Sequence, residues 1–557
     1  MNKFIKYLAP AVVLVMSWAL QACVNDLHVE PIDPSQKTDI EAYQLFNKCY
    51  SAFATSGNNG SDDNCDIDDI DGGTSSLFRQ MWNSNELTTD EAICGWGDEG
   101  IGPFCYNTYD ASHPMLKGYY YRLCASIAFC NLYLKDFYDA DATMSAEVRF
   151  LRAFEYYLLS DAFNNIPFST AISADKPDQK SRAEVMAFVE SELKAIIGES
   201  PEDNTTILND PAPKTSNDAG YGRVDKAAAW MLLSRLYLNW EVYTGTARWQ
   251  DAKTYAEKVI NSAYKLHTEG SSKEVGDETW EFTAYQMLFM GDNDRNGSSV
   301  EAVFPILQDG KRTTAWGVAQ YLIASTADGN LHGLRYDPEQ VNGLSGQAWG
   351  GNRARPDLVK RFINSNDIPE LACYDMPMLA NDDRALFDSK GRALDIPEVG
   401  IFTNGFAVGK FNNFTTDGSK TNDEGGTFSD MDVYIMRVAE AYLNYAEAEV
   451  RLHGVTQDAV DKVNALRTRA HAKKFNTGTL TLDEILNEWS REFYFEGRRR
   501  VDLIRFGKFG GNTGYNWTWK GGVKAGTNFD AYRNVFAIPS DDLIANKKLE
   551  QNPGYGR

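Results

Sequence analysis

Apolar residues recur at helical spacing along much of the chain, and the helices they predict come in neighbouring pairs. Met144 to Phe163 places Val148, Leu151, Phe154, Leu158 and Ala162 on one stripe and stops before Asn164-Asn165-Ile166-Pro167. That pattern reads as an amphipathic helix ended by a proline. Arg182 to Ile197 predicts a second helix. Val224 to Trp240 with Trp249 to Ala263, and Val433 to His453 with Gln457 to Ala470, each read as helix-loop-helix pairs in which small Ala residues alternate with bulky rings.

Between these pairs the period is lost. Ser56 to Ser76 is rich in Gly, Asn and Asp; Tyr264 to Gly310 and Ala327 to Asp430 carry frequent Gly, Asp and Pro; Gly507 to Thr527 is full of Gly, Trp and Lys. Such segments predict long loops with short strands, and connections of that length are uncommon unless they bind something. The Ala-and-ring alternation resembles tetratricopeptide hairpins with a degenerate repeat signature. The expected fold is therefore mainly α, a tetratricopeptide-like α-α superhelix. Its hairpins fall near 38–55, 115–263 and 433–505, and its irregular insertions near 56–114, 264–430 and 507–535 form the ligand face.

The first 22 residues are expected to be an address. Lys3 and Lys6 precede an apolar run from Leu8 to Leu20, and Leu20-Gln21-Ala22-Cys23 looks like a bacterial lipobox, despite an unusual Gln21. Cleavage there leaves Cys23 lipidated and residues 23–557 as one domain, tethered by lipid. Lys+Arg 55 against Asp+Glu 78 gives a formal charge of −23, or −25 once Lys3 and Lys6 leave. A surface so acidic excludes nucleic acid as a partner. The 69 aromatic rings exceed what packing alone requires and favour a ligand that stacks, such as a sugar. Seven cysteines remain after Cys23, none in a CxxC pair, so zinc is not expected. Cys94 with Cys105, or Cys49 with Cys65, could close a loop, or all could stay buried thiols.

Enzyme motifs mostly fail. Six histidines, no HExxH and no GxSxG leave hydrolytic chemistry without its usual groups. Gly95-Trp96-Gly97-Asp98-Glu99-Gly100 fits GxGxxG literally, yet no βαβ pattern surrounds it and its acids would repel phosphate. Gly405 to Phe411 imitates a phosphate loop one residue short, and reads better as a glycine-containing strand. Asp90-Glu91 and Asp382-Asp383 are the acid pairs a glycosidase could use, but adjacency in sequence proves no such geometry. The basic run Arg491 to Phe506 reads as a solvated face paired internally, Glu496 with Arg500.

Four stretches resemble the SusD/RagB family of outer-membrane nutrient-binding lipoproteins of Bacteroidota. They are Ala146 to Phe168, Val433 to Val450, Arg491 to Phe509 and Phe536 to Tyr555, the last carrying IPxxxLxxNxxLxQNPGY from Ile538. With Asn85 to Gly100 and the Cys23 leader, the resemblance spans almost the whole chain. It implies the helical scaffold and an outer-membrane lipoprotein facing the cell exterior. It also implies a SusC-like TonB-dependent transporter as partner, to which captured oligosaccharide is passed, with no catalytic step. The text around Trp96 is most similar to starch-binding members, which implies an α-glucan. Two rivals stand beside this reading: a surface glycoside hydrolase, and a transporter-gating lipoprotein that binds peptide or protein.

For sugar contact the expected residues are Trp96, set between two glycines; Trp316, after an expected strand Val300 to Leu307; and Arg79 and Asp71, flanking the Gly72-Gly73 turn. Gly291 to Ser299, where starch-binding relatives place a further ring, has none. Trp230, Trp240 and Trp249 are expected in the core, and Trp517 and Trp519 on a strand edge. Asp430 and Asp432 have a spacing that offers two oxygens to a structural calcium ion, the sole cofactor considered, or two carboxylates to a helix N-terminus.

Overall fold

The computed structural model describes residues 40–57, 61, 65–200, 203, 205–335 and 341–556. Cys23 and its leader lie outside them. The chain divides into a leading unit, residues 1–45, and a large unit, residues 46–557, which carries everything below.

Helices build the large unit, and the pairs expected from sequence are present. Pro114–Asp136 packs on Ala142–Phe163, which packs on Arg182–Ile196. Lys226–Leu238 packs on Trp249–Ile260, and that helix on Val438–His453, followed by Gln457–Arg469. Side chains of Asp141, Ser181, Asp225 and Thr456 accept backbone N–H groups at four of these N-termini. Each cap is worth about 1 kcal/mol against alanine. The stripe Val148, Leu151, Phe154, Leu158 and Ala162 is buried throughout. It meets a ring cluster in which Phe53 stacks on Phe154 at 5.8 Å and Phe304 meets Phe150 edge-on at 5.9 Å.

Phe304 belongs to the strand Ala302–Ile306, within the one expected before Trp316. Its antiparallel partner corrects the expectation of a helix from Val433. Val433–Arg437 is a strand, with Val433 opposite Ile306, and the helix begins only at Val438. The β-branched and aromatic residues of Val-Tyr-Ile-Met suit a strand, here buried except at Ile435, so the ladder takes its backbone first. A second two-stranded pairing, Ala92–Cys94 with Asn352–Ala354, aligns Cys94 with Asn352 and carries the loop bearing Trp96. The Gly405 to Phe411 stretch supplies the strand Ala407–Val408, and its Lys410 is wholly buried, donating to the Tyr494 carbonyl and pairing with Glu496.

The basic run is not a solvated face. Arg499 and Arg500 are buried, with Arg499 bonded to Asp90, and Glu496 pairs with Lys410 and Arg437 instead of Arg500. Around Glu492 the buried cations are Arg384, Arg437 and Arg469, and around Glu488 they are Arg384, Arg467 and Arg491. Guanidinium planes and carboxylates here form a lattice that ties Leu482–Phe493 to the strand at Arg437 and the turn at Arg384. The C-terminal motif is a clasp. Gln551 bonds both backbone groups of Ile538, and the Asn552 amide donates to the carbonyls of Phe163 and Phe536.

The three hairpin tryptophans are half-buried, not core, each with a cation over its face: Lys258 over Trp230, Arg248 over Trp240 and Arg451 over Trp249. Alkyl stems of these cations supply the cover that the core was expected to give.

Candidate functional site: a curved row of aromatic rings

Trp96 leaves the strand Ala92–Cys94 through Gly95, whose N–H donates to the Gly351 carbonyl at 3.1 Å. Its indole lies directly on Gly351: a Cβ there would fall 2.2 Å from the ring, so only glycine fits. The indole N–H donates to the Trp349 carbonyl at 3.2 Å. Behind the ring, the Arg79 guanidinium sits 5.8 Å from Trp96 and 4.5 Å from Tyr321. The far end of the loop is held by His113, whose Nδ1 accepts from Leu116 N–H, which leaves Nε2–H to donate to the Gly100 carbonyl at 2.9 Å. Burial lowers His113 to about 4, so this neutral tautomer persists at ordinary pH.

From Trp96 the rings continue. Trp349 lies 6.3 Å away at 48°, Trp316 a further 5.9 Å at 56°, and Phe428 a further 4.6 Å at 47°. All four are half-buried. Neighbouring planes are tilted by 47° to 56°, so the four rings do not share one plane. The row is braced from below. Ser76 caps the helix Leu77–Glu86 through the Arg79 N–H, and its hydroxyl donates to the carbonyl of Gly317, next to Trp316. Asp423 accepts the N–H groups of Thr427 and Phe428.

Of the four residues expected to touch a ligand, the structure brings Trp96, Trp316 and Arg79 together and leaves Asp71 out. Arg79 is buried and donates to the Gly73 carbonyl, so it backs the rings. Asp71 is exposed, accepts from Thr74 N–H and hydroxyl, and lines a cleft of about 500 Å³ with Asp98, Glu99, Lys117 and Asp541, with none of the four rings in its walls. Trp349 and Phe428 were missed by sequence reasoning. Trp349 had a usable signal, since it precedes two glycines in Gln347-Ala-Trp-Gly-Gly much as Trp96 stands between two.

The two carboxylates expected to offer oxygens to calcium are already engaged by protein donors. Asp430 accepts Gly310 and Asn422 N–H groups, and Asp432 accepts Gln308 N–H and the Tyr221 hydroxyl, so all four oxygens already face donors. A cation would have to share those oxygens with their present donors. Burial pushes Asp432 up to about 8, and among the described residues no group of three or more His, Cys, Asp or Glu could hold a metal. One acid of each pair is held by cations: Asp90 by Arg499 and Arg361, with the Tyr515 hydroxyl, and Asp382 by Arg384. Cys94 and Cys105 adjoin, the Cys94 N–H donating to the Cys105 sulfur at 3.4 Å. Cys65 instead meets Arg122 and Ser75, and Cys49 neighbours Cys130.

Gly351→Ala is expected to lift the Trp96 indole off its bed. Tryptophan emission should shift to the red while far-ultraviolet dichroism stays unchanged; unshifted emission would mean that the ring does not rest on Gly351.

A model of the SusD family matches residues 389–555. Over its whole length the chain is 34% identical to the starch-binding protein SusD of Bacteroides thetaiotaomicron, with all of both chains covered. Among solved structures it is similar to surface glycan-binding protein A from Bacteroides uniformis, with TM-score 0.65, 18% identity, and 92% of this chain and 98% of that one covered. It is also similar to surface glycan-binding protein A from Bacteroides thetaiotaomicron in complex with laminarihexaose, with TM-score 0.62, 19% identity and the same coverage.

Proposed function

The chain belongs to the SusD family, and from that premise we propose that it is a surface glycan-binding lipoprotein that captures oligosaccharide on the ring row Trp96–Trp349–Trp316–Phe428. It passes the sugar to a SusC-like TonB-dependent transporter and performs no chemical step itself. It is anchored to the outer membrane through lipidated Cys23 and faces the cell exterior. Support for the anchor is the leader sequence; among the described residues no helix is long and apolar enough to cross a membrane.

The single observation that carries the reading is the turn between successive ring planes. Sugars offer flat C–H faces to aromatic rings. An α-1,4-linked glucan turns from unit to unit, whereas a β-1,4-linked one runs as a flat ribbon, so the row favours a starch-like ligand. Relatives named for starch and glycan binding point the same way.

Calorimetry of the protein with maltoheptaose, laminarihexaose and cellohexaose, with reducing ends assayed in the same samples, tests it. Maltoheptaose is expected to bind best, cellohexaose least, and no new reducing ends should form. Sugar release would make the protein a hydrolase, and no binding to any of the three would favour the gating role.

A further inference from the structure

Two tryptophans one residue apart, Trp517 and Trp519, meet opposite fates. Trp517 is 1% exposed and packs in a core with Leu486, Leu503 and Phe509. Trp519 stays half-buried and adopts φ 68°, ψ 11°, the left-handed conformation that glycine or asparagine takes readily and a bulky ring does not. Of the three left-handed positions in this turn, 519, 521 and 522, the last two are glycines and only Trp519 carries a side chain. Strain of this kind persists where surrounding structure holds it.

Three contacts hold it. The Trp519 N–H donates to the Lys524 carbonyl at 3.2 Å, its indole N–H donates to the Ile396 carbonyl at 2.9 Å, and its ring lies 5.8 Å from Tyr106 at 50°. At the rim, Lys524 pairs with Asp395 at 2.6 Å, both well exposed, and Val523 beside them is 48% exposed. The Tyr106 hydroxyl makes no hydrogen bond among the described residues. Three distant segments thus assemble two tilted rings, an aliphatic side chain, a carboxylate, an ammonium and a free phenol on one surface. None of them belongs to the row through Trp96.

We propose that Tyr106, Trp519, Val523, Asp395 and Lys524 form a second sugar-binding platform, sized for one or two glucose units of a chain. The C–H face of a pyranose stacks on the rings, and its hydroxyls reach the charged pair and the phenol. The rim pair explains why a sugar fits better than a protein partner: a protein contact of useful affinity is larger and centres on a desolvated anchor, whereas this pair stays wet. A platform this small predicts a Kd of order 1 mM, useful for holding one end of a long polymer whose other part engages a stronger site.

The test is fluorine NMR of the protein labelled with 5-fluorotryptophan, with the Trp519 and Trp96 signals assigned through Trp519→Phe and Trp96→Phe. Maltoheptaose and laminarihexaose are titrated into the wild type and into the Trp96→Ala variant. The Trp519 signal is expected to move with either sugar, with the same apparent Kd in both proteins, and Asp395→Asn with Lys524→Met should weaken that response at least about fivefold. A Trp519 signal that does not move at saturating sugar, or that moves only while Trp96 is present, overturns the proposal. A silent Trp96 signal would instead overturn the reading of the ring row, so the two failures are distinguishable.

Discussion

Glu492→Gln is expected to cost about 3–5 kcal/mol of unfolding free energy. Glu492 is fully buried and receives Arg437, Arg469 and Arg384. Its neutral replacement keeps the shape and leaves three desolvated guanidinia short of one negative charge, and an uncompensated buried charge is what makes a half-broken pair expensive. Urea unfolding followed by dichroism measures it. A loss under about 1 kcal/mol would mean that water reaches the lattice and screens it.

The same lattice sets the acid limb of stability. Burial alone would raise the Glu492 carboxyl, but the guanidinia of Arg469, Arg437 and Arg384 outweigh it and hold the group down at about 2. A depressed carboxyl contributes stability that is complete above its unfolded value of about 4.3 and is lost as pH falls through the folded value. Glu155 and Asp432 work in the opposite sense. Burial lifts each to about 8, so their contribution is complete below about 4 and is lost as pH rises towards and through 8. These three groups together place their optimum near pH 4–5, and Glu492→Gln should flatten only the acid limb.

This lattice also marks where sequence reading stops. Helix periodicity depends on neighbours three and four residues away, so Met144 to Phe163 was legible to within two residues. Arg499 reaches Asp90 across 409 positions, and no local pattern distinguishes it from an arginine in water. The run Arg-Arg-Arg-Val-Asp therefore looked like a solvated face and proved to be interior. Chemistry at the site was half legible for a related reason. A ring isolated between glycines has no helix or strand in which to hide, which is why Trp96 was found. Asp71 and Arg79 lie near the same loop in sequence, but only the fold decides that one faces an acidic cleft and the other supports the rings. Phe428 carries no such mark, since its place beside Trp316 follows from a loop folded around Asp423.

Trp96→Ala should weaken maltoheptaose binding by about 2–4 kcal/mol, roughly 30- to 1,000-fold in Kd, the largest functional loss expected from any ring of the row. Trp316→Ala and Phe428→Ala should each cost about tenfold. The ranking follows from what each ring touches. Trp316 and Phe428 contact one another, so either still presents apolar surface when the other is gone. Trp96 is bedded on Gly351, bonded to Trp349 through the carbonyl, and backed by Arg79, which is stacked in turn on Tyr321. Its removal uncovers a buried guanidinium whose Nε has no partner, frees the Trp349 carbonyl and leaves a hole where a preorganised face stood. Trp96→Phe should recover part of the affinity by restoring a ring without the N–H bond to Trp349. Asp71→Asn should leave affinity within about twofold, because that carboxylate is turned towards Thr74. Equal losses from Trp96→Ala and Asp71→Asn in calorimetry would place the sugar in the acidic cleft instead of on the rings.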